Sequence, residues 1–104
     1  MEYKIYQIDE IKEMLLPIFE AAPIYRAILF GSYAKGKATE ESDIDIVVDC
    51  MGGIINVSYF SLLADITTLL KKRVDLFEIS EFSRHAATLS TLEREGIVLY
   101  EKQG

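Results

Sequence analysis

Three aspartates and one glycine-serine turn hold the chemistry for which this sequence can be read. Residues 31 to 45 run Gly-Ser-Tyr-Ala-Lys-Gly-Lys-Ala-Thr-Glu-Glu-Ser-Asp-Ile-Asp, and Asp75 follows in a later apolar stretch. A chain that leaves a strand, turns through Gly31 and opens a helix at Ser32 presents free backbone N–H groups and partial positive charge. Anions such as phosphate are attracted to that geometry. Gly31 lets the backbone approach such a group closely, and the Ser32 hydroxyl adds a donor. A glycine-serine pair occurs in many ordinary turns, so the carboxylates decide its meaning.

Asp43 and Asp45, two apart in an expected strand, leave the same face, while Ile44, Ile46 and Val48 go to the other. In isolation the bland reading is a solvated strand face. Two like charges side by side are costly unless a cation neutralises them. Mg2+ takes carboxylate oxygens, waters and substrate phosphates together. Two such ions ~3.5–4 Å apart can clamp the attacking and leaving oxygens of an in-line displacement. Asp75 sits between Val74 and Leu76. An aspartate there fits β propensity poorly, the misfit a functional position shows. If its strand neighbours that of Asp43 and Asp45, it completes a three-carboxylate site. Glu78 points to the opposite face, and Asp49 lies too far along the strand; both are set aside.

The elements that must position these groups alternate along the chain. Ile8, Ile11, Leu15, Ile18 and Phe19 recur at helical spacing, with Asp9 as a cap and Pro17 as a kink or end. Strands are expected over Tyr25–Phe30, Asp43–Val48, Arg73–Ile79 and Ile97–Tyr100. Helices are expected over Ser32–Lys35, Asn56–Lys72 and Glu81–Arg94, the last stopped by Gly96. Gly52 and Gly53 punctuate the chain before the long central helix. This alternation predicts an α/β fold, a small mixed sheet with helices packed on it, as one domain over residues 1–104.

Composition bounds the partners. The 104 residues are 50% apolar, enough for a single core, and 11 basic residues against 17 acidic ones leave a net charge of −6. No basic stripe could track a phosphate backbone, so direct nucleic-acid binding is not expected. The one basic run, Lys71-Lys72-Arg73, reads as a solvated helix end. Cys50 is the single cysteine, which excludes an internal disulfide, and it reads as a small core or strand-end residue. No long apolar run suggests a signal peptide or membrane span, and a reducing cytoplasm fits best. Tyr59, Phe60 and Phe82 fall at core spacing. His85 reads as a surface residue, and Tyr3, Tyr6 and Tyr100 as partly exposed.

Taken together, Gly31-Ser32-x-Ala34-x-Gly36, five residues, then Ser42-Asp43-x-Asp45 resembles the signature of the minimal nucleotidyltransferases of the DNA polymerase β-like superfamily. Under average residue usage those seven residues match by chance at roughly 10⁻⁸ per position. The resemblance implies the polymerase β-like nucleotidyltransferase core. In it Gly31 and Ser32 would hold the β- and γ-phosphates of a nucleoside triphosphate, and Asp43 and Asp45 would ligate two Mg2+ ions. Asp75 would be the third carboxylate, a metal ligand that orients the incoming hydroxyl. Many relatives have arginine where this chain has Tyr33 or Lys35. Lys35 keeps the charge without the bidentate fork, and Tyr33 reads as a packing or rim residue.

The resemblance also implies an acceptor. Larger relatives add a helical domain, whereas one helix and a short strand follow Asp75 here. The chain thus looks like the nucleotidyltransferase half of a HEPN/MNT toxin–antitoxin pair. AMP would pass from ATP to a tyrosine of a HEPN-domain ribonuclease toxin, whose basic surface would suit the acidic chain. The alternatives are a transferase acting on a small hydroxylated molecule such as an aminoglycoside, and a non-catalytic antitoxin that masks its partner. Self-association would cover part of the apolar surface.

Overall fold

The computed structural model describes residues 5–50, 57–81 and 86–102. The expected turn glycines Gly52 and Gly53, together with Tyr3, Phe82 and His85, lie outside the described residues. Helix α1 spans Ile8–Ala21, β1 Ile24–Phe30, α2 Gly31–Ala34 and β2 Ile44–Cys50. Helix α3 spans Val57–Leu70 and β3 Val74–Glu78; a 3₁₀ turn at Ile79–Glu81 leads to α4, Ala86–Glu95, and β4, Ile97–Glu101. The four strands form one sheet in the order β3-β2-β1-β4. The β2–β3 pair is parallel, and β1 runs antiparallel to both β2 and β4. The expected small mixed sheet is therefore present.

Strand alternation divides the core between two faces. On one, Ala27, Leu29, Ile44, Ile46, Val48, Leu76 and Leu99 pack with Ile11, Leu15 and Phe19 of α1 and Leu62, Ile66 and Leu70 of α3. On the other, Ile28 and Val47 meet Leu92 of α4, flanked by Phe30, Phe77, Ile79 and Leu89. Gly96 closes α4 with its N–H on the Leu92 carbonyl at 2.8 Å. A Cβ at Gly96 would stand 2.5 Å from Ile28 Cγ2, so glycine lets this helix end reach the sheet. Among the described residues no helix is long and apolar enough to cross a membrane.

Several expectations are corrected. Helix α1 runs through Pro17 to Ala21 and is opened by Gln7, whose N–H donates to Glu10 Oε1 at 2.9 Å; Asp9 lies inside the first turn. Pro17 and Glu13, whose carbonyl the missing N–H would have bonded, are both exposed residues, while Phe19 anchors the final turn in the core. Tyr6 is buried, its hydroxyl donating to the Leu70 carbonyl at 2.7 Å. Tyr100, by contrast, is partly exposed as expected, its ring beside Phe19 with centroids 5.8 Å apart. Phe60 is 67% exposed rather than core, because Tyr59 and Leu62 take the inward positions of α3. Lys72 is buried, not the solvated helix end its neighbours suggest.

Candidate active site

Strand β1 holds an extended backbone up to Phe30 and then reverses through Gly31, φ +73°, into the single turn of α2. The Lys35 N–H returns to the Gly31 carbonyl at 3.1 Å, and the Lys37 N–H to the Ser32 carbonyl at 2.9 Å. Positive φ favours glycine, and the site demands one for a second reason. The Cβ of any larger residue would overlap Asp45 Oδ2, with Asp45 Cγ only 3.3 Å away. The backbone of the turn and the carboxylate of β2 thus share one boundary.

Asp45 faces Asp75 across the parallel β2–β3 pair, and Phe30 faces Asp45 from β1. Alternation places Asp45 and Asp75 on the face of the sheet that carries Val47 and Leu92. The expected strand start at Asp43 is corrected, since β2 begins at Ile44 and Asp43 lies in the loop before it. Burial is the largest influence on Asp45. The charge of Asp75, a hydrogen bond with it and the charge of Asp43 follow, and together they push the Asp45 carboxyl up to about 6. Such a cluster gains from a proton or a cation. Oxygen-only donors of this charge suit a hard divalent ion. Among the described residues no three acidic, histidine or cysteine side chains already stand in ligating geometry. The close pair is Asp45–Asp75, and Asp43 acts on it by charge from the loop before β2.

The residues set aside lie apart, as expected. Asp49 stands beside Arg26 Nη2 at 4.0 Å. Glu78 accepts the Ser80 N–H at 2.8 Å and the Cys50 N–H at 3.2 Å. Burial would raise the Glu78 pKa, but these hydrogen bonds outweigh it and hold the carboxyl below its ordinary value. Cys50 is buried. Tyr33 turns into the core at 3% exposure, where burial raises its hydroxyl pKa; it is a packing residue.

Lys35 is exposed at the end of α2 and lines a cavity of about 240 Å3 with Phe30, Gly31, Ala34, Thr91, Leu92 and Glu95. Sequence reasoning missed this cavity, since it needs α4 to fold back beside α2. The one sequence signal, a threonine and a glutamate at i and i+4 of α4, is too common to single out.

Comparison with known proteins bears on the family and the fold. The sequence model of the family described as "Polymerase beta, Nucleotidyltransferase" matches residues 13–104. A Methanocaldococcus jannaschii protein named "Putative protein adenylyltransferase MJ0435" is 38% identical over 69 residues, 66% of this chain and 74% of that protein. A toxin–antitoxin crystal structure with AMP-PNP superposes with a TM-score of 0.70 at 24% identity, over 94% of this chain and 76% of that one. A Shewanella oneidensis complex of tri-AMPylated HEPN toxin with MNT antitoxin gives 0.61 at 22% identity, over 92% and 74%. These structures share the fold. With the glycine turn backed onto Asp45, and with the family match running through nearly the whole chain, the protein belongs to the polymerase β nucleotidyltransferase family.

Proposed function

We propose that this nucleotidyltransferase is an antitoxin that moves AMP from ATP to a tyrosine hydroxyl of a HEPN-domain toxin. The observation that carries the chemistry is the Asp45–Asp75 pair, in register on adjacent parallel strands and bounded by Gly31. The choice of donor and acceptor rests on the relatives named as protein adenylyltransferases and on the AMPylated HEPN toxin in a structure of the same fold.

Gly31 and Ser32 bind the β- and γ-phosphates with backbone N–H groups and the serine hydroxyl, at a turn where no side chain intervenes. Lys35, on the following turn, adds positive charge near the phosphates. Asp43, Asp45 and Asp75 are the residues that would hold two Mg2+ ions, which when bound neutralise the carboxylates and stabilise charge on the reacting oxygens. Asp75, the exposed member of its pair, orients the acceptor hydroxyl and takes its proton. The acceptor oxygen forms a bond to the α-phosphorus, and the bond from that phosphorus to the bridging oxygen breaks. Pyrophosphate departs with those electrons.

Incubation of the chain with the product of a neighbouring gene and α-labelled ATP tests this reading. Label is expected on a tyrosine of the neighbour in Mg2+ and absent with Asp43→Asn. Masking of the neighbour without any label would favour a binding-only antitoxin, and label on an aminoglycoside instead would favour a small-molecule transferase.

A further inference from the structure

The basic run between α3 and β3 has a use that its solvated reading hides. Lys71 adopts φ 56°, and its N–H closes α3 on the Thr67 carbonyl at 2.8 Å. Left-handed backbone is uncommon for a residue with a side chain, and here it turns the next residue inward. Lys72 is consequently 3% exposed, the buried charged side chain among the described residues. Its Nζ donates to the Glu40 carbonyl at 2.8 Å, across 32 positions of sequence.

That contact falls on the loop that delivers Asp43. The Thr39 N–H donates to Ser42 Oγ at 2.8 Å, and the Ser42 N–H to the Thr39 carbonyl at 3.1 Å, so Thr39–Ser42 is a small turn with its own bonds. Directly after Asp43, the Ile44 N–H donates to the Arg73 carbonyl at 3.0 Å. Lys72 and Arg73 therefore hold the chain on both sides of Asp43, one through Glu40 and the other through Ile44.

We infer that Lys72 is a positioning residue for nucleotidyl transfer, its buried ammonium fixing the Thr39–Ser42 turn and thereby the place of Asp43 beside Asp45 and Asp75. An ammonium out of water is costly, and apolar side chains would cover the loop more cheaply. What the charge adds is a strong, directional bond to a backbone carbonyl, which orders the chain whatever side chain residue 40 carries.

Amide hydrogen exchange on the full chain tests this without relying on the proposed reaction. Lys72→Met keeps the aliphatic stem and removes the donor. Exchange over Thr39–Asp43 should rise roughly tenfold to a hundredfold, with β1 and β4 unchanged. Lys72→Arg should recover most of the protection, and Glu40→Ala should leave it intact, since only the carbonyl is used. If Lys72→Met fails to fold, Lys72→Leu, which also lacks a donor, is read in the same way. A second readout, which rests on the proposed function, is a fluorescent ATP analogue in Mg2+. Its affinity should fall about tenfold in Lys72→Met and return in Lys72→Arg. Unchanged loop exchange, or faster exchange spread evenly over all strands, overturns the inference. A wild-type chain that does not bind the analogue counts against the function, and exchange alone then decides the role of Lys72.

Discussion

Gly31 and Asp45 are packed against each other so closely that the turn leaves no space for a side chain at residue 31. The turn after β1 and the carboxylate on β2 therefore cannot shift independently at this point. The contact makes them one rigid unit.

Gly31→Ala should therefore fail on two counts, the positive φ and the overlap with Asp45. The expected loss is about 2–4 kcal/mol in urea denaturation, from backbone strain plus displacement of the carboxylate. In the Gly31→Ala, Asp45→Ala double variant the overlap is gone, and roughly half of that cost should be recovered as coupling energy. Purely additive losses would show that the two residues do not share a boundary.

Stability without metal should depend on pH through Asp45. Its carboxyl moves from an ordinary value near 3.8 up to about 6 in the fold, by burial first and then by Asp75 and Asp43. Between those values the folded chain binds more protons than the unfolded one, so stability is full below about pH 4 and declines as pH rises through 6. Partial exposure screens the effect to about 1–2 kcal/mol. Asp45→Asn should accordingly be the more stable protein at pH 7 in EDTA, and its thermal midpoint should be nearly flat from pH 5 to 7, above the range where Glu78 begins to titrate. Added Mg2+ should raise the wild-type midpoint at pH 7 and leave that of Asp45→Asn almost unmoved. An Asp45→Asn protein less stable than wild type under these conditions would contradict the strained carboxylate.

Asp75 and Asp49 separate function from mere charge. Both are acidic residues of the same sheet, but Asp75 faces Asp45 and Asp49 stands beside Arg26. Asp75→Asn should lower the transfer rate by about 10²–10⁴, the range for a lost proton acceptor, with far-ultraviolet circular dichroism unchanged. Asp49→Asn should leave the rate intact and cost less than about 1 kcal/mol, as surface ion pairs do.

How much of this was legible in sequence depends on range. The Asp-x-Asp spacing and the misfit of Asp75 in an apolar strand are local signals, enough to single out the three carboxylates, although Asp43 proves to lie just before β2 and not within it. That Asp75 pairs with Asp45, residue for residue, is a register of two parallel strands separated by α3, which no local pattern encodes. Lys72 was misread for a similar reason. A lysine after a long helix is solvated by default, and what buries it is the left-handed Lys71 and a carbonyl 32 positions away. Pro17 runs against its usual reading because proline is judged by the bond it removes, and that loss costs less on the exposed side of a helix whose other side is anchored by Leu15 and Phe19.

Tyr59 and Phe60 carry the same lesson into a measurable contrast. Both satisfy the apolar period of α3, and their rings meet edge to face with centroids 5.4 Å apart. Only Tyr59 is tied to the sheet: its hydroxyl donates to the Leu76 carbonyl at 2.6 Å, next to Asp75. Tyr59→Phe removes that bond and leaves a part-buried carbonyl short of a donor, at a cost of about 1–2 kcal/mol. Phe60→Ser loses little beyond its edge contact with Tyr59, since the ring is already 67% in water, and should change stability by less than about 1 kcal/mol. Thermal denaturation of the two variants checks the ranking. If Tyr59 also steadies the strand that presents Asp75, transfer should slow modestly, about twofold to fivefold, in Tyr59→Phe and not in Phe60→Ser.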